Sequence, residues 1–128
     1  MPEFRKFLLL GAALAGLSVL LGAFAAHGLE KSINDPRLLD NFDTAARYQF
    51  YHALGLIAVF LLSKYDLNNQ LLDKSGWAMF IGTLLFSGSL YIYVLSGIKT
   101  FAMITPIGGV FMVIAWLLMF LAAFKAKR

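Results

Sequence analysis

Two histidines, His27 and His52, are the only imidazoles in a 128-residue chain that has no cysteine. Ring-nitrogen chemistry rests on these two, and thiol, disulfide and iron–sulfur chemistry is absent. Gln49 stands three residues before His52 with Tyr48 beside it, and Ser87, Ser89, Tyr91, Tyr93 and Thr105 follow further along. An amide, hydroxyls and imidazoles all donate or accept hydrogen bonds. As a set they fit either a polar network between helices or the wall of a site for a lipid, a quinone or an exported solute. Two imidazoles on neighbouring helices also permit bis-histidine haem ligation, though no further haem motif accompanies them. A zinc site needs more protein ligands than the two histidines supply.

Other chemistry is excluded by what the apolar runs leave out. Glu3, Glu30, Asp35, Asp40, Asp43, Asp66 and Asp73 all fall at the ends of the runs or between them. A proton-coupled exporter would place a carboxylate within a span. There is no GxSxG elbow, no HExxH and no phosphate-cradling glycine loop, so the chain does not read as a hydrolase or an NTPase. Membrane oxidoreductases that work through cysteine pairs are excluded too.

The elements that must position these groups are read from composition. Hydrophobic residues make up 60% of the chain and charged residues 14%, whereas a soluble domain is about half apolar. The formal charge of +4 does not indicate nucleic acid, because the basic residues flank apolar runs and form no basic face. Crossing a hydrocarbon core takes about 20 apolar residues. The expectation is an all-α integral membrane bundle of four transmembrane helices, a single domain over residues 1–128. Its spans cover about 7–26, 46–62, 77–95 and 106–124, with connector 27–45 outside and connector 63–76 inside.

The second span is short, but Asp35 and Pro36 supply an N-cap and a first-turn proline, so its helix extends outside the membrane. At about 100° per residue, Leu38, Phe42, Ala45, Gln49, His52, Leu56 and Val59 share one face, with Asp43, Arg47, Phe50 and Leu54 opposite. Thr105-Pro106 starts the fourth helix, and Gly97 with Lys99 makes a short turn before it. Arg5, Lys6, Lys64, Lys74, Lys125, Lys127 and Arg128, seven residues, fall on one side, against four, Lys31, Arg37, Arg47 and Lys99, on the other. This bias expects both termini in the cytoplasm. Ala23-Phe24-Ala25 resembles a signal-peptidase site, but the run before it exceeds the about 7–15 residues of a signal core, so the first span is expected uncut.

Gly11, Ala15, Ser18, Gly22 and Ala25 form a stripe of small residues along the first helix. Such stripes let helices approach closely in lipid, within one chain, between copies, or against another membrane protein. Ala78, Gly82, Gly108 and Gly109 are candidate facing surfaces. The chemical candidates also have structural readings. His27 before Gly28 has the form of a helix end, with glycine left-handed. His52 can be an interhelical hydrogen-bond partner, Asp43–Arg47 a surface i,i+4 pair or lipid-phosphate contact, and the tyrosines an interfacial belt.

Four stretches together are distinctive: GAFAAHGL (Gly22 to Leu29), FDTAARYQFYHALGL (Phe42 to Leu56), LFSGSLYIYVLSG (Leu85 to Gly97) and TPIGG (Thr105 to Gly109). This combination resembles domain-of-unknown-function family 423. The resemblance implies a four-span bacterial inner-membrane protein with eukaryotic relatives; the family has no established activity, so the resemblance supplies no catalytic residues to carry over. The chain departs from the pattern at Ala25-Ala26, where a glycine is frequent; this stiffens the helix end.

Overall fold

A computed structural model describes residues 2–126, so the charges of Lys127 and Arg128 lie outside the described residues. The described residues are predominantly helical, with no strand, and four of the helices are long and apolar enough to cross a membrane. Helix α1 (Pro2–Phe24) continues through a π-helical turn, Ala25–Leu29, and a last α-turn, Glu30–Ser32. Helices α2 (Pro36–Leu62), α3 (Asn69–Ser96) and α4 (Thr105–Phe124) follow, with a 3-10 segment, Lys99–Met103, before α4.

The helix starts follow local chemistry. Asp35 is extended and its side chain accepts from the Arg37 amide at 3.0 Å, with Pro36 in the first turn where no amide is needed. Asn68 caps α3 in the same way, accepting from the Leu71 amide at 3.1 Å. Helix α3 ends at Gly97, whose φ of 74° is left-handed and whose amide bonds the Tyr93 carbonyl at 2.8 Å.

Two expectations about connectors are corrected. The first helix does not stop at His27-Gly28: it runs to Ser32, leaving only residues 33–35 before α2. Gly28 is helical, and among the described residues Gly97 alone has positive φ. Leu29, 3% exposed, packs with Phe42 and Val94, so tertiary burial carries the helix past a glycine that costs it only about 1 kcal/mol. The glycine serves close approach instead: a Cβ there would meet the Phe24 ring at 3.2 Å, and that ring lies edge-on to Phe42. Likewise α3 begins at Asn69, eight residues ahead of the expected span, so the connector between α2 and α3 is residues 63–68.

The helices pack in a row: α1 on α2, α2 on α3 and α3 on α4. Of the most apolar stretch of each helix, 17% is buried in α1 and 22% in α4, against 44% in both α2 and α3. The first and last helices are therefore the edges. Near the termini the core gathers Phe4, Phe7, Leu56, Val59, Leu72, Met79 and Ala115, and at the distal end Leu29, Phe42 and Val94. The stripe expected on α2 is the buried one: Phe42, Ala45, Gln49, His52, Leu56 and Val59 are buried, whereas Asp43, Arg47, Phe50 and Leu54 are exposed.

Lipid is as apolar as leucine, so close van der Waals contact must supply much of the association. Gly11 provides it between α1 and α2, where a Cβ would lie 2.7 Å from the Ala53 carbonyl oxygen. Gly82 and Gly108 provide it between α3 and α4, with Gly108 against the Phe86 backbone. These two glycines face each other's helices and not the stripe on α1.

Candidate functional site

The distal half of the bundle collects most of the polar groups singled out in the sequence, and helix geometry explains how. On α2, Gln49 and His52 are one turn apart on the buried face, 2% and 6% exposed. Ser87, Ser89 and Tyr91 approach from α3, and Thr105 from the start of α4.

Gln49 uses both ends of its amide. Its Nε2 donates to the Leu14 carbonyl of α1 at 2.8 Å, and its Oε1 accepts from the Tyr91 hydroxyl of α3 at 2.7 Å. One side chain thus ties three helices.

His52 is equally committed. Its Nδ1 lies 2.9 Å from the Tyr48 carbonyl oxygen and its Nε2 lies 2.9 Å from Trp116 Nε1. A carbonyl only accepts and an indole N–H only donates, so the proton sits on Nδ1 and the Nε2 lone pair receives the indole. Neither nitrogen is free for iron, and His27 is exposed in the π-helical turn with no side-chain hydrogen bond among the described residues. The residues present do not form the bis-histidine arrangement.

The hydroxyls close in the same manner. Ser87 Oγ donates to the Ala45 carbonyl at 2.7 Å, and Ser89 Oγ lies 2.6 Å from Thr105 Oγ1 and donates to the Phe86 carbonyl at 2.9 Å. Thr105 therefore spends its hydroxyl on α3. Tyr48 is 40% exposed, with its ring stacked on His52 and tilted against Phe86 at 5.1 Å between centroids. Tyr93 is half-buried at the edge of the distal cluster. Among the described residues no three His, Asp or Glu side chains gather as a metal site.

Along the small-residue stripe, Gly11 and Ser18 are buried, and Ala15, Gly22 and Ala25 are half-buried. Ser18 Oγ donates back to the Ala15 carbonyl at 2.7 Å. Asp43 and Arg47 form their i,i+4 pair at 2.9 Å.

Sequence reasoning missed Trp116. Its signal was depth: tryptophan usually sits at the membrane interface, and an indole in the middle of a span needs an acceptor. It also missed Ser75, which donates to the Ala115 carbonyl at 2.7 Å, and Thr83, whose hydroxyl is buried and unpartnered.

The side-chain bonds of Gln49, His52, Ser75, Ser87 and Ser89 link helices within the protein. Comparison with known proteins agrees on membrane character. The chain is 44% identical over 121 residues to the UPF0382 membrane protein SAB0533 of Staphylococcus aureus (strain bovine RF122 / ET3-1), covering 94% of this chain and 97% of the relative. It is 45% identical over 121 residues to the UPF0382 membrane protein YwdK of Bacillus subtilis (strain 168), covering 94% and 98%. No solved structure matches. The family model described as "Protein of unknown function (DUF423)" matches residues 21–109, and with these relatives it shows that the chain, a four-span membrane protein, belongs to the DUF423 family.

Proposed function

We propose that the protein is a non-enzymatic membrane component that packs with a further transmembrane helix, from a second copy or another membrane complex, along the open face of α1. The supporting observation is the contrast between two glycines of one helix. A Cβ on Gly11 would collide with α2, whereas one on Gly16 would meet nothing within 4 Å. Ala12, Ala13 and Gly16 are exposed beside Leu9 and Leu20 on this edge helix, a small-residue face that no helix of the chain covers. The internal satisfaction of Gln49 and His52 supports a structural role for them over a ligand pocket.

The absence of native cysteine makes the test clean. Gly16→Cys in native membranes is expected to give a cross-linked product of higher mass, lost when Ala12→Leu is added. A chain that stays monomeric in gentle detergent and cross-links to nothing overturns the proposal.

The bacterial membrane relatives and the gathering of Arg5, Lys6, Lys64, Lys74 and Lys125 at the end that holds the termini support a plasma-membrane location with cytoplasmic termini. A C-terminal alkaline phosphatase fusion is expected to be inactive; an active fusion would reverse the orientation.

A further inference from the structure

A second surface lies on a different side of α1 and does not depend on the helix-packing proposal. Between α1 and α2 runs an open groove of about 250 Å³, lined by Ser18, Val19 and Gly22 on one side and Ala46, Phe50 and Tyr51 on the other, with Asp43 and Arg47 at its mouth. It is present because Gly22 has no side chain and no neighbour: a Cβ there would meet nothing within 4 Å. Its floor is closed by Ser18, whose hydroxyl is spent on the Ala15 carbonyl, so the groove presents almost no free polar group below the mouth.

Depth identifies the occupant. Arg47 is the last charged residue of α2 before the uncharged run from Tyr48 to Leu62, so the mouth lies where headgroups meet hydrocarbon. The volume is below the ~400 Å³ of a single turn of a helix about 10 Å across, so a helix would ride on the rim while an acyl chain lies within. At the mouth Arg47 Nε and the Asp43 carboxylate are 2.9 Å apart, and both side chains are more than half exposed, leaving donors on one and acceptor positions on the other.

We propose that this groove binds one zwitterionic aminophospholipid. An acyl chain lies along Val19, Gly22 and Phe50, the phosphate accepts from the Arg47 guanidinium, and the headgroup ammonium donates to Asp43. A guanidinium suits a phosphate oxygen pair. The adjacent carboxylate repels the added negative charge of an anionic lipid and attracts an ammonium, so the pair matches a headgroup carrying both charges.

The test is native mass spectrometry of the full chain, freed of lipid in gentle detergent. It is titrated with phosphatidylethanolamine, phosphatidylglycerol and diacylglycerol of identical chains, and with soluble phosphoethanolamine. The expected result is one retained phosphatidylethanolamine, with weaker phosphatidylglycerol, weaker still diacylglycerol and no phosphoethanolamine. Gly22→Leu fills the groove and is expected to abolish retention. Arg47→Gln is expected to weaken both phospholipids about five-fold, the contribution typical of one basic side chain in the headgroup layer. Asp43→Asn is expected to erase the preference for phosphatidylethanolamine. Because Asp43 and Arg47 are exposed, these two variants decide the matter even if Gly22→Leu does not fold. Equal retention of diacylglycerol, retention of phosphoethanolamine, or unchanged retention in Arg47→Gln overturns the proposal.

Discussion

Gln49 gives the most searching test of the buried network, because its two bonds reach two different helices. Gln49→Met keeps the length of the side chain and removes both. Side-chain hydrogen bonds in membrane bundles are worth about 0.6 kcal/mol on average, so the direct loss is about 1 kcal/mol. The Leu14 carbonyl keeps its own helical amide, but the Tyr91 hydroxyl is left without its acceptor in a half-buried position, which adds about 1–2 kcal/mol. The single variant should cost about 2–3 kcal/mol. Tyr91→Phe removes one bond and strands Gln49 Oε1, costing about 1–2 kcal/mol. The double variant strands neither group and should cost only about 1–2 kcal/mol, short of the sum by about 2 kcal/mol. The assay is reversible unfolding of the purified full chain in dodecyl sulfate, followed by far-ultraviolet circular dichroism. Costs that add to within about 0.5 kcal/mol would refute the bond between Gln49 and Tyr91.

Trp116→Phe leaves His52 Nε2 without a donor and should destabilise by about 1–2 kcal/mol in the same assay, whereas Trp77→Phe, which removes no side-chain hydrogen bond found among the described residues, should cost less. Thr83→Val removes a hydroxyl that is buried without a partner at nearly constant shape; stabilisation by about 1 kcal/mol is expected, and a loss would mean that the hydroxyl has an acceptor. Gly108→Leu drives a side chain into the Phe86 backbone, and a cost of at least about 3 kcal/mol, read as loss of the folded fraction, is expected; Gly16→Leu, on an open face of the helix, should cost no stability.

Much of the fold was legible because membrane burial sorts residues strongly. The face of α2 that carries Phe42, Gln49, His52 and Val59 was visible from spacing, since the opposite face holds Asp43 and Arg47, which cannot be buried unpaired. Asp35-Pro36 and Gly97 were legible as local stereochemistry. Gly28 was misread because its reason is three-dimensional: the ring of Phe24 crosses it, and nothing in the order of residues distinguishes that from a left-handed stop. The candidate groups were visible but their pairing was not. Four acceptors, the carbonyls of Leu14, Ala45, Tyr48 and Ala115, belong to the backbone that every residue carries, and Trp116 lies 64 residues from His52. The small residues were likewise visible, while the partner that each one faces was not.

Apart from His27, Tyr48 and Tyr93, the polar candidates that stand out in the sequence bond one helix to another. Apolar burial cannot choose which face of a helix turns inward when lipid solvates every apolar face equally well. Directional bonds can. Gln49 joins α1, α2 and α3, His52 joins α2 to α4, Ser87 joins α3 to α2, and Ser75 and Ser89 join α3 to α4. Each link bridges helices at a definite depth, so a shift of one helical turn would strand a donor in the bundle. The glycine contacts at Gly11 and Gly108 then add attraction to an arrangement already chosen by polar groups. With these side chains committed to one another, both proposed contacts lie on the outer surface, where an edge helix leaves Gly16 uncovered and the Gly22 groove opens at a charged pair.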